Sequence, residues 1–224
     1  AVLAALPGNN CGGCGYAGCS GLAAAIAKGE AKVNACPVGG EAVGNAIAEI
    51  TGVEAGQSKK MVAFVRCQGD CDKGHRDYDY FGNKDCGMMP FVPGGGPKSC
   101  NHGCLGYGNC VKACPFDAIH IINGIAKVDE NACKACGKCI EACPKGLIEL
   151  IPATAKTKVA CFSKDAGPIA MKTCDNACIG CGICVKNCPA EAIKVENFVA
   201  HIDYDKCTNC GTCVSKCPKK AIIQ

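Results

Sequence analysis

The chain contains no tryptophan and few other aromatic residues, with five tyrosines and six phenylalanines among 224 residues. A chain so poor in large apolar side chains has difficulty burying one extensive hydrophobic core. It also lacks the run of about 20 apolar residues that a transmembrane helix requires. Its opening, AVLAALPGNN, has no basic residue and too short an apolar run for a secretory signal peptide. These absences argue against a large single-core domain, a membrane span and a secreted protein.

Cysteine and glycine are abundant instead, with 25 and 29 residues respectively. An odd number of cysteines does not fit a fully paired disulfide protein, and thiolate-bound metal centres imply a reducing compartment. Because metal ligation is coupled to folding, metal centres can replace a hydrophobic core. We therefore expect several small units, each built around one or two metal centres.

Two cysteine-rich runs near the C-terminal end, CIGCGICVKNCP and CTNCGTCVSKCP, share the spacing C-x2-C-x2-C-x3-C-P. This spacing is typical of [4Fe–4S] ligation, in which three cysteines bind one cluster and the fourth binds its neighbour. A zinc site more commonly shows two separated C-x2-C pairs. The sequence therefore predicts two clusters with crossed ligands. One is bound by Cys178, Cys181, Cys184 and Cys217, and the other by Cys207, Cys210, Cys213 and Cys188.

The same pattern occurs 74 positions earlier, so residues 100–152 and 153–224 are predicted to be two copies of one unit. The connectors repeat as well, since CPFDAI aligns with CPAEAI. Each connector is expected to form a short helix followed by a hairpin of alternating apolar residues. This is the (βαβ)2 arrangement of a two-cluster ferredoxin.

One position breaks the repeat, because Tyr107 stands where the second unit has Cys181. Cys100 is the nearest replacement for the missing ligand. The alternative is a three-cysteine site that holds a [3Fe–4S] cluster or an open iron. The ligand sets predicted for the first unit are Cys100, Cys104, Cys110 and Cys143, and Cys133, Cys136, Cys139 and Cys114.

Residues 1–57 are predicted to be a small helical domain with one [4Fe–4S] cluster. Its motif is CGGCGYAGC followed by a Cys-Pro pair, and helices are expected at 20–29 and 41–50. Residues 58–99 are predicted to be a bridge with a short strand at 61–65. The predicted ligands of the N-terminal domain are Cys11, Cys14, Cys19 and Cys36.

Five clusters use 20 cysteines and leave five. The remaining cysteines are Cys67, Cys71, Cys86, Cys161 and Cys174. Cys161 or Cys174 could complete a sixth cluster with the three bridge cysteines if the two repeats pack together. Alternatively, Cys100 joins the bridge cysteines, or all five are free buried thiols. We predict five clusters and favour a sixth, since unpaired thiols in a reducing compartment need an explanation.

The charge balance does not indicate a nucleic-acid partner. The formal charge of +4 counts every cysteine as neutral. Five clusters with four thiolates each, at about −2 per site, would bring the chain to about −6. The four histidines are scattered, and none forms a catalytic arrangement with Cys, Ser or Asp that we recognise. The sequence therefore predicts electron transfer without a catalytic site of its own.

The segment LPGNNCGGCGYAGC, the later Cys36-Pro37 pair and the tandem ferredoxin motifs resemble the B subunit of the Rnf complex. Rnf is a membrane-bound, ion-pumping ferredoxin:NAD+ oxidoreductase. The insertion from Cys67 to Cys86 and the run CLGYGNCVKACPFDAI are similar to the longer B subunits of anaerobic bacteria. The resemblance implies an α+β fold of small iron–sulfur domains, a helical N-terminal one and two tandem ferredoxin-like ones.

The resemblance also implies partners and a location. The chain would accept low-potential electrons from soluble ferredoxin and pass them to the membrane and flavin subunits of an Rnf-type complex. It would lie at the cytoplasmic face of the cell membrane, and we expect a membrane helix ahead of the first residue. Two rival interpretations remain open: an iron–sulfur protein of corrinoid or CO metabolism, and a non-redox sensor module.

Overall fold

The computed structural model describes residues 1–56 and 59–224. The predicted boundary between residues 57 and 58 lies outside the described residues. The α-helices are α1 (Val2–Ala5), α2 (Gly18–Ala27), α3 (Gly40–Thr51), α4 (Asn109–Lys112), α5 (Lys138–Glu141), α6 (Gly167–Thr173), α7 (Ile183–Lys186) and α8 (Thr212–Lys216). The strands are β1 (Met61–Val65), β2 (Ile119–Ile122), β3 (Ile125–Val128), β4 (Ile148–Pro152), β5 (Lys158–Val159), β6 (Ile193–Glu196), β7 (Val199–Ile202) and β8 (Ile222–Ile223). Two 3-10 helices span Cys86–Phe91 and Pro93–Gly95.

The N-terminal part is helical and has its own core. The helices expected at 20–29 and 41–50 are present as α2 and α3. Leu22 and Ile26 of α2 pack with Ile47 of α3 in one buried cluster. Helix α3 ends at Gly52, which adopts φ +69° and donates its N–H to Ala48. The loop that carries the first cysteine motif packs against the buried cluster formed by these helices.

The hairpins β2–β3 and β6–β7 show that the sequence repeat is also a structural repeat. In the first hairpin Ile119 pairs with Val128, and in the second Ile193 pairs with Ile202. Both hairpins therefore have the same register at the offset of 74 positions. The burial also repeats, since the first residue of the first strand and the first two residues of the second strand are buried in both hairpins.

The strand predicted at 61–65 is present as β1, but it does not form a separate bridge. It pairs antiparallel with β4, just as β5 pairs with β8 in the second unit. Val65 lies opposite Ile148 and Val159 lies opposite Ile222. β1 and β5 are therefore equivalent first strands of the two units, and the long loop after β1 is an insertion within the first unit.

The two units pack against each other. Phe162 and Tyr204 of the second unit contact the buried cluster of the first unit, which is centred on Ile119, Ile125 and Ile151. The second unit has its own core, which contains Val199 and two buried cysteines, Cys184 and Cys213. Within the described residues, no helix combines the length and apolar character needed to cross a lipid bilayer.

Candidate iron–sulfur sites

Cysteine side chains converge in groups of four. Cavities of about 400, 430, 360 and 300 Å³ are each lined by one such group. In that order the cysteines are Cys86, Cys104, Cys110 and Cys143; Cys67, Cys100, Cys161 and Cys174; Cys178, Cys181, Cys184 and Cys217; and Cys114, Cys133, Cys136 and Cys139. The second cavity is as large as those built from the ferredoxin motifs, although it follows no C-x2-C-x2-C spacing.

Two further groups of cysteines are recognised because a charge on one thiol raises the pKa of another. Burial raises the pKa of Cys36, and charge on Cys14 and Cys19 raises it further. Cys11 lies on the same loop as Cys14. In the second unit burial raises the pKa of Cys213, and charges on three neighbouring thiols add to the increase. Those neighbours are Cys207, Cys188 and Cys210. Three of the four cysteines of the N-terminal motif, and all four of the second group, therefore lie near one another.

The fourth cysteine of each ferredoxin motif is fixed by a backbone hydrogen bond from the residue four positions later. The N–H group of that residue donates to Sγ at 3.3–3.4 Å. The donor–acceptor pairs are Ala118 with Cys114, Leu147 with Cys143, Ala192 with Cys188, and Ala221 with Cys217. The turn after each Cys-Pro pair therefore points an N–H donor at sulfur, which stabilises a thiolate.

The third cysteine of each motif lies on a buried face of a short helix. Burial raises the pKa of Cys110 in α4 to about 12, and the pKa of Cys139 in α5 and Cys184 in α7 to about 11. Thiols with such pKa values remain protonated at neutral pH unless a metal ion stabilises the thiolate. The donor set, four convergent sulfurs with N–H groups directed at them, fits a [4Fe–4S] cluster.

The cavity in the first unit is lined by a cysteine of the insertion rather than by Cys100. Cys86 lines it together with Cys104, Cys110 and Cys143, while Cys100 lines the cavity between the units. The reason is local. Asp85 accepts hydrogen bonds from the N–H groups at the start of the 3-10 helix, and Asn109 accepts one from the N–H of Cys86. These contacts tie the insertion to α4.

Tyr107, which replaces the expected cysteine, faces the same insertion. Its ring centroid lies 6.4 Å from that of Tyr80. Burial raises the pKa of Tyr107, and the charge on Arg76 lowers it. The insertion thus covers the position where the second unit has a ligand and supplies Cys86 to the same cavity.

The cavity between the units is built with internal symmetry. Cys67 and Cys100 come from the first unit, and Cys161 and Cys174 come from the second. The N–H of Cys104 donates to Cys67 Sγ at 3.4 Å. The equivalent N–H of Cys178 donates to Cys161 Sγ at 3.3 Å. Each unit therefore contributes two cysteines to this cavity. One follows the first strand of the unit, and the other precedes the first ferredoxin motif of the unit by four residues.

Two buried cations line this same cavity. Arg66 and Lys98 are each 6% exposed. Lys98 Nζ donates to the carbonyl oxygen of Gly69 at 2.6 Å, and Arg66 forms an ion pair with Glu149 at 3.4 Å. Arg66 Nε is buried without a hydrogen-bond partner in the described structure. Buried positive charge requires nearby negative charge. A four-thiolate cluster with a net charge of about −2 would provide it.

The groups are wider than a site for a single ion. Among residues 1–56 and 59–224, no three Cys, His, Asp or Glu side chains are close enough to share one metal ion. A tetrahedral zinc site brings its sulfurs within roughly 3.8 Å of each other, given Zn–S bonds of about 2.3 Å. In a cubane each thiolate binds a different iron, so the thiolates lie farther apart.

Cys71, one of the five cysteines predicted for a possible sixth cluster, lines neither the cavity of Cys86 nor the cavity between the units. It is exposed, and its N–H donates to the carbonyl of Asn123 at the turn between β2 and β3. Arg76 Nη2 lies 3.8 Å from Cys71 Sγ. The set that includes Cys100 was not predicted from the sequence. The signal was available, because Cys100 and Cys174 align at the repeat offset and should share one environment.

Comparison with known proteins agrees with the site geometry. Residues 6–38 match a family model described as a putative Fe–S cluster, and residues 97–159 and 177–222 each match a 4Fe–4S dicluster domain. The chain is therefore an iron–sulfur protein made of small domains with mixed helix and strand content.

Three relatives cover most of the chain, and each is the B subunit of a redox complex. The one from the Na+-translocating ferredoxin:NAD+ oxidoreductase complex of Acetobacterium woodii is 52% identical over 92% of this chain and 62% of its own length. The one from the proton-translocating ferredoxin:NAD+ oxidoreductase complex of Clostridium ljungdahlii is 47% identical over 88% and 70%. The one from the ion-translocating oxidoreductase complex of Methanosarcina acetivorans is 45% identical over 92% and 78%. The chain belongs to the family of Rnf complex B subunits.

Proposed function

We propose that this chain relays low-potential electrons through a series of [4Fe–4S] clusters within an ion-translocating ferredoxin:NAD+ oxidoreductase. The observation that carries the proposal is that 16 of the 25 cysteines line four cavities in sets of four. Eight more belong to the two further sets that the sequence motifs define. The relatives from Acetobacterium and Clostridium are subunits of complexes whose names state that reaction. The family match does not favour a role in corrinoid or CO metabolism.

The proposed architecture is a helical N-terminal domain followed by two (βαβ)2 ferredoxin-like units. The first unit begins at β1 rather than at residue 100 because β1 pairs with β4. Five of the six proposed clusters lie within these three parts, and the sixth lies between the two units. Its proposed ligands are Cys67, Cys100, Cys161 and Cys174, which line one cavity. Cys86 replaces Cys100 in the first unit's own cluster.

When bound, each cluster would accept and release one electron at low potential. The protein holds the thiolates and directs N–H donors at them, which sets the potential of each cluster. Cys86 and Cys136, which belong to the proposed clusters of the first unit, are partly buried. Cys181 and Cys210 of the second unit are exposed instead. The second unit is therefore the part of the chain best suited to exchange electrons with a soluble ferredoxin.

We place the chain at the cytoplasmic face of the cell membrane, where its partners would be the membrane and flavin subunits of the complex. The support is the membership of its relatives in ion-translocating complexes. Such complexes require electrons to reach redox groups in the membrane from a soluble donor. A chain whose cysteines are grouped in adjacent sets is suited to that step.

The proposal is tested by anaerobic iron and sulfide analysis together with EPR of the reduced protein. Six clusters require about 24 iron atoms per chain, and five require about 20. Reversible reduction by a low-potential ferredoxin is expected. Stoichiometric zinc in place of iron, or iron that cannot be reduced reversibly, would contradict the proposed function.

A further inference from the structure

The loop of the N-terminal motif touches the loop of a ferredoxin motif. A Cβ atom placed on Gly13 would lie 2.7 Å from the carbonyl oxygen of Cys136 and 2.8 Å from its Cα. These are backbone atoms, which cannot rotate away as a flexible side chain can. Gly13 is flanked by Cys14 and lies two residues after Cys11, so the contact joins two cysteine sets directly.

The close contact with Cys136 requires a glycine at position 13, whereas the backbone conformation of that position does not. Gly12 and Gly15, on either side, have φ of +74° and +82°, whereas Gly13 has no positive φ. Gly12 meets only one atom, at 4.0 Å, and Gly15 meets none within that distance. An alanine at position 13 is therefore compatible with the loop's fold and incompatible only with the close approach of Cys136.

The contact distinguishes the two ferredoxin-like units. Cys136 is partly buried, while its repeat equivalent Cys210 is exposed. Charge on Cys11 is one of the influences, after burial, that raise the pKa of Cys136. The N-terminal domain therefore covers one of two equivalent cluster loops and leaves the other open.

Residues 1–56 share neither a buried core nor a hydrogen bond with the described part of the ferredoxin-like units. Among the described residues, its buried cluster draws on residues 2–55 and the core of the first unit is formed by later residues. Within the described residues, no hydrogen bond joins residues 1–56 to the ferredoxin-like units. A cleft of about 1360 Å³, lined by Cys14, Cys36 and Cys133, remains beside the contact. The approach of Gly13 to Cys136 thus brings the backbones of the two parts into direct contact.

We propose that Gly13 is a positioning residue that brings the N-terminal cluster within electron-transfer range of the cluster bound by Cys114, Cys133, Cys136 and Cys139. The inference rests on the proposed function, because it requires both cysteine sets to hold clusters. With both clusters bound, the backbone contact of Gly13 with Cys136 would hold them close enough to exchange electrons. The N-terminal cluster would therefore be the direct neighbour of this cluster of the first unit.

The test compares Gly13→Ala with Gly21→Ala in the full chain, both loaded anaerobically. Gly21 lies in α2, has no positive φ, and a Cβ there would meet Tyr16 at an ordinary 3.7 Å. Iron and sulfide content reports cluster binding. EPR of the fully reduced protein reports magnetic coupling between adjacent reduced clusters. We expect full iron content in both variants and loss of the N-terminal cluster's spin–spin broadening in Gly13→Ala alone.

Two results would overturn the inference. Retention of the coupling in Gly13→Ala would show that the clusters meet elsewhere. Loss of about four iron atoms from Gly13→Ala would show that Gly13 is needed for binding the N-terminal cluster and not for its position. The iron retained by the other clusters would show that the rest of the chain is loaded. A wild-type chain without iron would instead contradict the proposed function, so the two failures are distinguishable.

Discussion

The side-chain oxygen of Asn109 accepts a hydrogen bond from the N–H of Cys86, with 3.1 Å between the two atoms. The amide nitrogen of Asn109 donates in turn to Asp85, also at 3.1 Å. The second unit has Ile183 at the position equivalent to Asn109 and needs no such link, because its ligand Cys181 lies within its own motif. Asn109 is thus specific to the site that borrows a ligand from the insertion.

Replacement of Asn109 by isoleucine should loosen the hold on Cys86. The variant leaves the partly buried N–H of Cys86 and the carboxylate of Asp85 with one partner fewer, which costs roughly 1–3 kcal/mol. We expect about four iron atoms to be lost faster to a chelator, while the remaining iron is released at the wild-type rate. Ile183→Ala is the control, and equal iron release from both variants would contradict the role of Asn109.

Cys86 stands in for the cysteine that is missing at position 107, so a cysteine placed at position 107 should restore iron binding when Cys86 is removed. Cys86→Ser should lose about four iron atoms per chain, because a cubane needs four ligands for full stability. Adding Tyr107→Cys to Cys86→Ser should restore them, since position 107 corresponds to Cys181 in the repeat. Iron analysis and EPR signal integration are the measurements.

The control for the rescue is Cys71→Ser, which should keep its iron because Cys71 is exposed and lines none of the four cysteine cavities. A Cys86→Ser variant with full iron content would show that Cys86 is not a ligand. A double variant that stays deficient would show that position 107 cannot reach the cavity.

Local patterns in the sequence predicted most of the fold. The C-x2-C-x2-C-x3-C-P spacing places three cysteines around one cavity and the fourth at the next, because the short helix and the Cys-Pro turn fix their directions. The offset of 74 positions predicted both hairpins, whose registers are the same. The expected helices in the N-terminal domain follow from their alanine-rich apolar runs.

The borrowed and shared ligands could not be predicted in the same way, because tertiary packing brings them together. Cys67 and Cys161 each follow a first strand, and these strands pair with the last strands of their units. The insertion after β1 changes the sequence offset between the two, so the repeat comparison did not align them. Cys100 was assigned by nearness in sequence to Cys104, whereas the packing of the two units places it beside Cys174 in the shared cavity.

The shared cavity predicts non-additive effects of ligand removal. Cys67→Ser and Cys161→Ser should each lose about four iron atoms, and the double variant should lose the same four. Two ligands of different clusters would instead cause a loss of about eight. Cys67→Ser combined with Cys184→Ser is the control, since Cys184 lines a separate cavity and losses there should add.

A buried lysine beside one cavity and a half-buried lysine beside another predict shifts of two different reduction potentials. Lys98 lines the shared cavity, and Lys145 lines the cavity of Cys86. Burial lowers the pKa of Lys145, and negative charge on the nearby thiols raises it. A cation beside a cluster stabilises the reduced form, which carries one more negative charge, so its removal lowers the potential.

We therefore expect Lys98→Met to lower the midpoint potential of one cluster and Lys145→Met to lower that of another, each with full iron content. EPR-monitored redox titration of the whole chain measures both. Lys194→Met, at an exposed position paired with Glu196, is the control and should leave every potential unchanged. If Lys98→Met shifts no potential, the cavity between the units holds no redox-active cluster. If both variants shift the same signal, the two cavities do not hold separate clusters.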